Sequence, residues 1–95
     1  MKVFFSRKAE LGLEKIFDHV VQSFSQAQAQ LVRDELVSAI LKIGEFPELG
    51  LRIASQSDKR ILFVAGNAVI YEIVLQAEPI IVIRNVRPRG SNASI

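Results

Sequence analysis

The residues with the clearest chemical potential are three arginines near the C-terminal end of the chain, Arg84, Arg87 and Arg89. They follow an apolar run, residues 79–83, and no acidic residue comes after Glu78. Arginine stays charged at any biological pH, and its planar guanidinium group matches the oxygens of a phosphate or a carboxylate. The apolar run predicts a strand buried on both faces, which would hold the arginines in fixed positions. This pattern indicates a surface that binds an anionic partner.

A second basic group, Lys59 and Arg60, opens an earlier predicted strand. In a meander of three antiparallel strands, the first and the third strand run in the same direction. The start of the first strand and the end of the third therefore lie at opposite ends of the sheet. We expect the five basic residues to form two patches instead of one.

Other kinds of functional site find little support in the sequence. The chain has no cysteine, which excludes disulfides, thiol catalysis and Cys-ligated zinc. The single histidine, His19, lies beside the apolar stripe of a predicted helix and is interpreted as an exposed or half-buried helix residue. The pairs Glu10/Glu14 and Asp34/Glu35 are typical of solvated helix faces. Because the glycines are scattered at turns, no phosphate-binding loop is present, and we expect neither a metal nor a cofactor.

Length and composition indicate one folded domain, residues 1–95. The chain is 49% hydrophobic and 23% charged, as is typical of a soluble protein. Residues 1–50 carry six basic and seven acidic residues, whereas residues 51–95 carry six basic and three acidic ones. The basic C-terminal half permits a nucleic-acid or an acidic protein partner. With no signal peptide and no apolar run near the roughly 20 residues of a membrane helix, we expect a cytoplasmic protein.

Two helices are predicted after a short opening strand at residues 2–5. Ser6 is suited to cap the first helix, and apolar residues at three- and four-residue spacing carry it from Arg7 to about Ser23–Ser25. The second helix is predicted from about Ala27 to Ile43, with Gly44 placed to end it in a left-handed conformation. The short connection between the helices implies an antiparallel helical hairpin.

The predicted strands in the second half of the chain are residues 59–65, 68–75 and 80–86. Gly66-Asn67 is a two-residue turn signal for a hairpin between the first two strands. Tyr71, in the middle of the second strand, is interpreted as a half-buried packing residue. The order β-α-α-β-β-β predicts an α+β domain in which the helical hairpin covers one face of an antiparallel sheet.

Three connecting or terminal segments are predicted to be irregular. Residues 45–50 form a compact turn, since Pro47 fixes φ and Gly50 permits a tight reversal. Residues 51–58 are polar and without periodicity, which predicts a mobile loop. The tail, residues 90–95, also lacks periodicity and is expected to fray.

The order and spacing of these features resemble the RelE/ParE superfamily of toxins from bacterial type II toxin–antitoxin modules. The resemblance covers roughly residues 2–89. It is carried by Ser6, Ala9, Leu13 and Ile16 after the opening strand, the turn Phe46-Pro47-x-x-Gly50, Arg60, the segment Ile70-Tyr71-Glu72-Ile73, and the arginine-rich exit of the last strand. It implies a helical hairpin on a curved antiparallel sheet and a cognate antitoxin as partner. Operator DNA would be contacted only through that antitoxin.

The superfamily contains two activities. RelE-like members cleave messenger RNA on the ribosome without a metal, whereas ParE-like members inhibit DNA gyrase. The ribonuclease pattern has basic residues where this chain has Ile61 and Ala68, and a tyrosine after Arg89 that is absent here. Because RNA cleavage needs groups that transfer protons, the resemblance favours a ParE-like gyrase inhibitor over an enzyme, and no catalytic residue is assigned. The candidate target-binding residues are Arg84, Arg87, Arg89, Lys59 and Arg60.

Two alternatives remain open at the level of the sequence. One is a RelE-like, ribosome-dependent messenger RNA endoribonuclease with a rebuilt active site. The other is a degenerate, non-toxic member that binds its antitoxin and helps to repress the operon.

Overall fold

The computed structural model describes residues 1–53, 55 and 58–90. Within these residues, two helices and five strands follow one another. They are β1 Val3–Phe5, α1 Arg7–Ser23, α2 Gln26–Glu45, β2 Leu51–Arg52, β3 Lys59–Val64, β4 Asn67–Val74 and β5 Ile80–Pro88. The predicted α+β class with a helical hairpin is confirmed. The prediction for residues 91–95 lies outside the described residues.

The five strands form one sheet in the order β1-β5-β4-β3-β2. The pairs β2–β3, β3–β4 and β4–β5 are antiparallel, whereas β1 pairs in parallel with β5. The predicted antiparallel meander of residues 59–86 is confirmed, and β1 adds a parallel strand at one edge of the sheet. The helical hairpin separates β1 from the later strands, and such a long crossover allows parallel pairing. The predicted loop 51–58 is wrong at its start, because Leu51 and Arg52 pair with Ile61 and Arg60 as β2.

Helix α1 begins at Arg7 as predicted, and α2 begins at Gln26, one residue before its predicted start. The Ser6 hydroxyl accepts a hydrogen bond from the Ala9 N–H at 3.1 Å, and Ser25 caps the second helix in the same way. The predicted end of that helix at Gly44 is wrong, because α2 continues to Glu45. Gly44 instead allows the N-terminal segment to come close: an added Cβ there would lie 3.3 Å from the Met1 carbonyl oxygen. No helix of the described residues is long and apolar enough to span a bilayer.

The hairpin between β3 and β4 turns one residue earlier than predicted. Its two turn residues are Ala65 and Gly66, both at positive φ (50° and 76°), whereas Asn67 is already part of β4 and pairs with Val64. Two positive φ angles are the signature of a tight hairpin turn. The side chain of Asn67 is buried and donates to the Ala65 carbonyl at 3.1 Å. Because its side-chain amide is buried and hydrogen-bonded there, Asn67 is favoured in β4 over the turn.

The core lies between the helices and one face of the sheet. Its buried members are Ala9, Ile16, Leu36, Ile43, Val69, Tyr71, Ile73, Ile81, Ile83 and Val86. Helix α1 lies directly on β5, since a Cβ added to Gly12 would collide with the Val86 carbonyl oxygen. Tyr71 is fully buried, so the prediction of a half-buried tyrosine is corrected.

Cross-strand register decides which face of the sheet each functional side chain occupies. Residues directly opposite each other in neighbouring strands share a face, and successive residues alternate. Leu62, Val69 and Val86 are in register and belong to or pack against the core. We call the opposite side, away from the helices, the outer face.

Candidate target-binding surface

The five basic residues identified in the sequence have very different surroundings. Arg60 is in register with Tyr71 on the helix-covered face. Its Nε donates to the Asp58 carboxylate at 2.8 Å, and Nη1 donates to the carbonyl oxygens of Gly50 at 3.0 Å and Glu48 at 3.4 Å. The side chain is only 14% exposed. Arg60 therefore ties the turn before β2 to the start of β3.

Tyr71 completes this attachment from the centre of the sheet. Its hydroxyl donates to the Pro47 carbonyl at 2.7 Å and accepts from the Gly50 N–H at 2.8 Å. Burial raises the pKa of the Tyr71 phenol, an effect that the Gly50 hydrogen bond opposes. A Cβ on Gly50 would lie 2.9 Å from both the Ile61 carbonyl oxygen and the Tyr71 ring. The motif Phe46-Pro47-x-x-Gly50 is thus a turn shaped to fit Tyr71.

A second group, Lys59 and Arg84, lies around Glu72 on the outer face. Lys59 is directly opposite Glu72 in the sheet. Arg84 donates from Nε and Nη2 to one Glu72 carboxylate oxygen, at 2.9 and 2.7 Å. The register passes from Ile70–Asn85 to Tyr71–Ile83, which leaves Arg84 as the extra residue of a β-bulge. The bulge directs Arg84 to Glu72, which balances part of its charge.

The third group combines Arg87 and Arg89 with an aromatic residue, Phe63, that the sequence reasoning missed. Phe63 and Arg87 are both in register with Ala68, so they flank a small residue on the outer face. The Arg89 guanidinium carbon lies 4.4 Å from the centroid of the Phe63 ring, within the range of a cation–π contact. The Arg89 N–H also donates to the Gly66 carbonyl at 2.9 Å, which holds the residue beside the hairpin turn. We call Phe63, Arg87 and Arg89 the aromatic–arginine cluster.

The basic residues form two patches at opposite ends of the sheet, as predicted, but Arg84 belongs to a different patch from the one expected. Lys59 and Phe63 are four residues apart on β3, which corresponds to about 13 Å. Arg84 lies with Lys59, through Glu72, and not with the other two C-terminal arginines. The alternation of β3 residues could have suggested Phe63 from the sequence. The bulge that redirects Arg84 has no such local signal.

The remaining features of the surface are apolar. Ile61 and Ile70 are in register on the outer face, between the Glu72 group and the aromatic–arginine cluster. Ile70 and Ala68 are fully buried although they face away from the helices. Among the described residues, no group of three or more histidines, cysteines or carboxylates is arranged to hold a metal ion.

Comparisons with known proteins agree with this architecture. A family model described as ParE toxin of type II toxin-antitoxin system, parDE, matches residues 3–93. A solved structure titled "Chromosomal ParDE TA system from P. aeruginosa" contains a chain that matches with a TM-score of 0.76 and 19% sequence identity. The match covers 93% of this chain and 95% of that one, and at this identity it shows the fold. No curated protein sequence matches the chain.

Proposed function

Since this chain belongs to the ParE toxin family of type II toxin–antitoxin systems, we propose that it arrests growth by binding and inhibiting DNA gyrase in the cytoplasm. A cognate antitoxin is the proposed partner that neutralises it. The family match supports the ParE-like reading of the sequence over the RelE-like one. Because one fold can carry several functions, the target is argued from the surface itself.

The observation that carries the proposal is the aromatic–arginine cluster. Arginine and aromatic residues contribute most of the binding energy at protein interfaces, especially where they lie side by side on a rigid support. Phe63 is 43% exposed, and both strands that carry the cluster are paired to β4 in the middle of the sheet. The cluster is therefore the proposed centre of the gyrase-binding surface. Arg84 and Lys59 lie at its margin, and Arg60 supports the fold beneath.

The outer face offers a poor setting for RNA cleavage. Ile61 and Ala68, which stand where the ribonuclease pattern has basic residues, are apolar residues of this face. The Tyr71 hydroxyl is buried and engaged with the turn 47–50. The Glu72 carboxylate is held by Arg84. These groups are therefore badly placed to activate a 2′-hydroxyl or to protonate a leaving oxygen, which favours a binding inhibitor over a nuclease.

The test sets two assays side by side with the purified protein. We expect inhibition of gyrase supercoiling and no cleavage of messenger RNA on ribosomes. Reversing charge in the cluster, with Arg87→Glu and Arg89→Glu together, should weaken gyrase inhibition at least about a hundredfold, since two interface arginines are lost. Ribosome-dependent cleavage without any effect on supercoiling would overturn the proposal.

A matched control separates charge from position. Lys2→Glu with Arg33→Glu makes the same change in net charge at exposed sites outside the aromatic–arginine cluster, and it should leave inhibition intact. Because Arg87 is partly buried, the single variant Arg89→Glu serves as a second probe. Circular dichroism and thermal unfolding verify that each variant is folded.

A further inference from the structure

A crevice runs along one flank of α1, between that helix and the last residues of β5. It consists of two adjoining cavities of about 480 and 410 Å³, which share Lys15 and Pro88 in their walls. The first cavity lies between α1 and residues 85–88 of β5. The second continues past Lys15 towards His19, the hairpin turn at residues 65–66 and Asn67 of β4. We call the two together the α1–β5 crevice.

The rim of the crevice is basic. Lys8, Lys15 and His19 follow one another at seven- and four-residue spacing, which places them on one side of a helix. Arg7 adds a charge at the open end, and Arg87 adds one from the opposite wall. As far as the structure describes the chain, neither cavity has a carboxylate in its lining.

The acidic residues of α1 lie on a different side of the helix. Glu10, Glu14 and Asp18 are also spaced by four residues, but they begin two residues after Lys8, so their side chains project about 160°, 120° and 80° away from Lys8 around the helix axis. Glu10 meets Arg7 at 3.5 Å, in an exposed pair of little energetic weight. Helix α1 thus has a core side, an acidic side turned to solvent and a basic side along the crevice.

The floor of the crevice is apolar. Leu11, Gly12, Ile16, Val86 and Pro88 contribute to it. Leu11 lies between Lys8 and Lys15 of the rim, and its side chain is 39% exposed. The missing side chain of Gly12 opens the space between α1 and the β5 backbone. An apolar floor inside a basic rim matches a ligand with an apolar anchor flanked by carboxylates.

We propose that the α1–β5 crevice binds an acidic peptide segment that carries at least one apolar anchor residue. Charge complementarity between the basic rim and the peptide carboxylates is the reason for this ligand class. The identification of the antitoxin as the source of the peptide rests on the proposed function. The groove between α2 and β3 is a poorer match, because Asp34 and Glu35 line it. The distance from Lys8 to His19 along α1 is about 16 Å, which about five residues of extended chain would span.

The position of the crevice has a regulatory consequence. Arg87 lines the crevice and also belongs to the aromatic–arginine cluster on the outer face. A peptide whose carboxylate engages Arg87 would compete with the target for the same guanidinium group. Occupation of the crevice would therefore weaken target binding without covering the whole outer face.

The direct test uses a synthetic peptide of about ten residues, with alternating glutamate and leucine, titrated into the full-length protein. Calorimetry measures affinity, and NMR chemical shifts of α1 and β5 locate the site. Lys8→Glu with Lys15→Glu should weaken binding about tenfold or more, as should replacement of the peptide glutamates by glutamine. Raising salt from about 50 to about 500 mM should weaken it as well, because both partners are exposed.

The control is again Lys2→Glu with Arg33→Glu, which should bind the peptide as the unaltered protein does. Leu11→Ser tests the floor separately and should weaken binding without changing the salt dependence. Equal affinity of the crevice variant and the control would overturn the proposal. So would tighter binding of duplex DNA through the same lysines, or a self-association that Lys8→Glu with Lys15→Glu abolishes.

The experiments distinguish a wrong gyrase proposal from a wrong proposal of peptide binding in the crevice. The peptide titration contains no gyrase, so loss of gyrase inhibition in the unaltered protein leaves the titration unaffected. If both ideas hold, Lys8→Glu with Lys15→Glu still inhibits gyrase, and the peptide no longer relieves that inhibition. Relief that persists in this variant would contradict the crevice and leave the gyrase proposal standing.

Discussion

Arg60 and Arg89 lie at opposite ends of the same sheet, and their guanidinium groups serve different purposes. Arg60 faces the helix side, where a carboxylate and two carbonyl oxygens take its donors. Arg89 stacks on a partly exposed phenylalanine and is itself exposed. The first arginine holds a turn in place, whereas the second presents its charge to a partner. Partners and exposure, more than residue type, distinguish a structural arginine from a binding one.

The same contrast separates Tyr71 from Phe63, which are aromatic residues of neighbouring strands. Tyr71 is fully buried, and its hydroxyl satisfies two backbone groups of the turn 47–50. Phe63 is partly exposed on the outer face and supports Arg89. Substitutions at the Tyr71 end should therefore change stability, and substitutions at the Phe63 end should change target binding.

The largest stability effect at the structural end is expected for Tyr71→Phe. The substitution leaves the Pro47 carbonyl and the Gly50 N–H without their buried partner, which costs about 1–3 kcal/mol. Urea unfolding should show this loss, with gyrase inhibition per folded molecule unchanged. A loss of inhibition at full stability would break the comparison.

Alkaline pH offers an independent check on the same residue. Because burial raises the pKa of Tyr71 in the folded protein, the phenol ionises more readily in the unfolded chain. Its contribution to stability is complete below the unfolded pKa, near 10, and falls as the pH rises towards the folded pKa. Tyr71→Phe should therefore flatten the alkaline limb of a plot of stability against pH.

Arg60→Met should have the next largest effect, a loss of about 1–2 kcal/mol, because it removes the ion pair with Asp58 and the bonds to the turn carbonyls. The neighbouring Lys59→Met is the matched control, since Lys59 faces the other way and should change stability by less than about 0.5 kcal/mol. Equal losses of stability for Arg60→Met and Lys59→Met in thermal unfolding would show that the face of the sheet does not determine the contribution of these residues to stability.

Phe63→Ala sharpens the comparison from the other end. The ring is partly exposed, so its removal should cost about 1 kcal/mol of stability or less. Binding to gyrase should weaken about tenfold or more, because Arg89 loses its support at the centre of the proposed interface. Phe4→Ala removes a ring of similar exposure at the far edge of the sheet and should leave affinity unchanged in the same binding assay.

The smallest effect is expected for Glu72→Gln. The Arg84 side chain is 43% exposed, so losing its pair with Glu72 should change stability by less than about 1 kcal/mol. Arg84 and Lys59 would then be less balanced, and the protein should elute from a cation exchanger at higher salt. Glu78→Gln changes the charge equally in an exposed turn; identical elution of both variants would argue against a special role for Glu72.

The sequence predicts the local features of this protein well, because their causes are short-range. The Ser6 cap, the apolar periodicity of α1 and the existence of a β3–β4 hairpin each depend on residues a few positions apart. The sequence predicts the register of this hairpin less well. A turn at Gly66-Asn67 would have paired Arg60 with Ile73, whereas the observed turn at Ala65-Gly66 pairs it with Tyr71. A shift of one turn residue therefore decides which side chain Arg60 meets.

By itself, the sequence determined the class of fold, the helical hairpin, the family and the set of basic residues that required an explanation. Tertiary structure decided what each basic residue does. The parallel pairing of β1 with β5, the bulge that turns Arg84 towards Glu72, and the inward face of Arg60 all arise from contacts between distant segments. Such contacts depend on packing and register across the whole sheet, and local residue patterns do not predict either of them. The aromatic–arginine cluster likewise exists only because two strands bring Phe63 and Arg89 together.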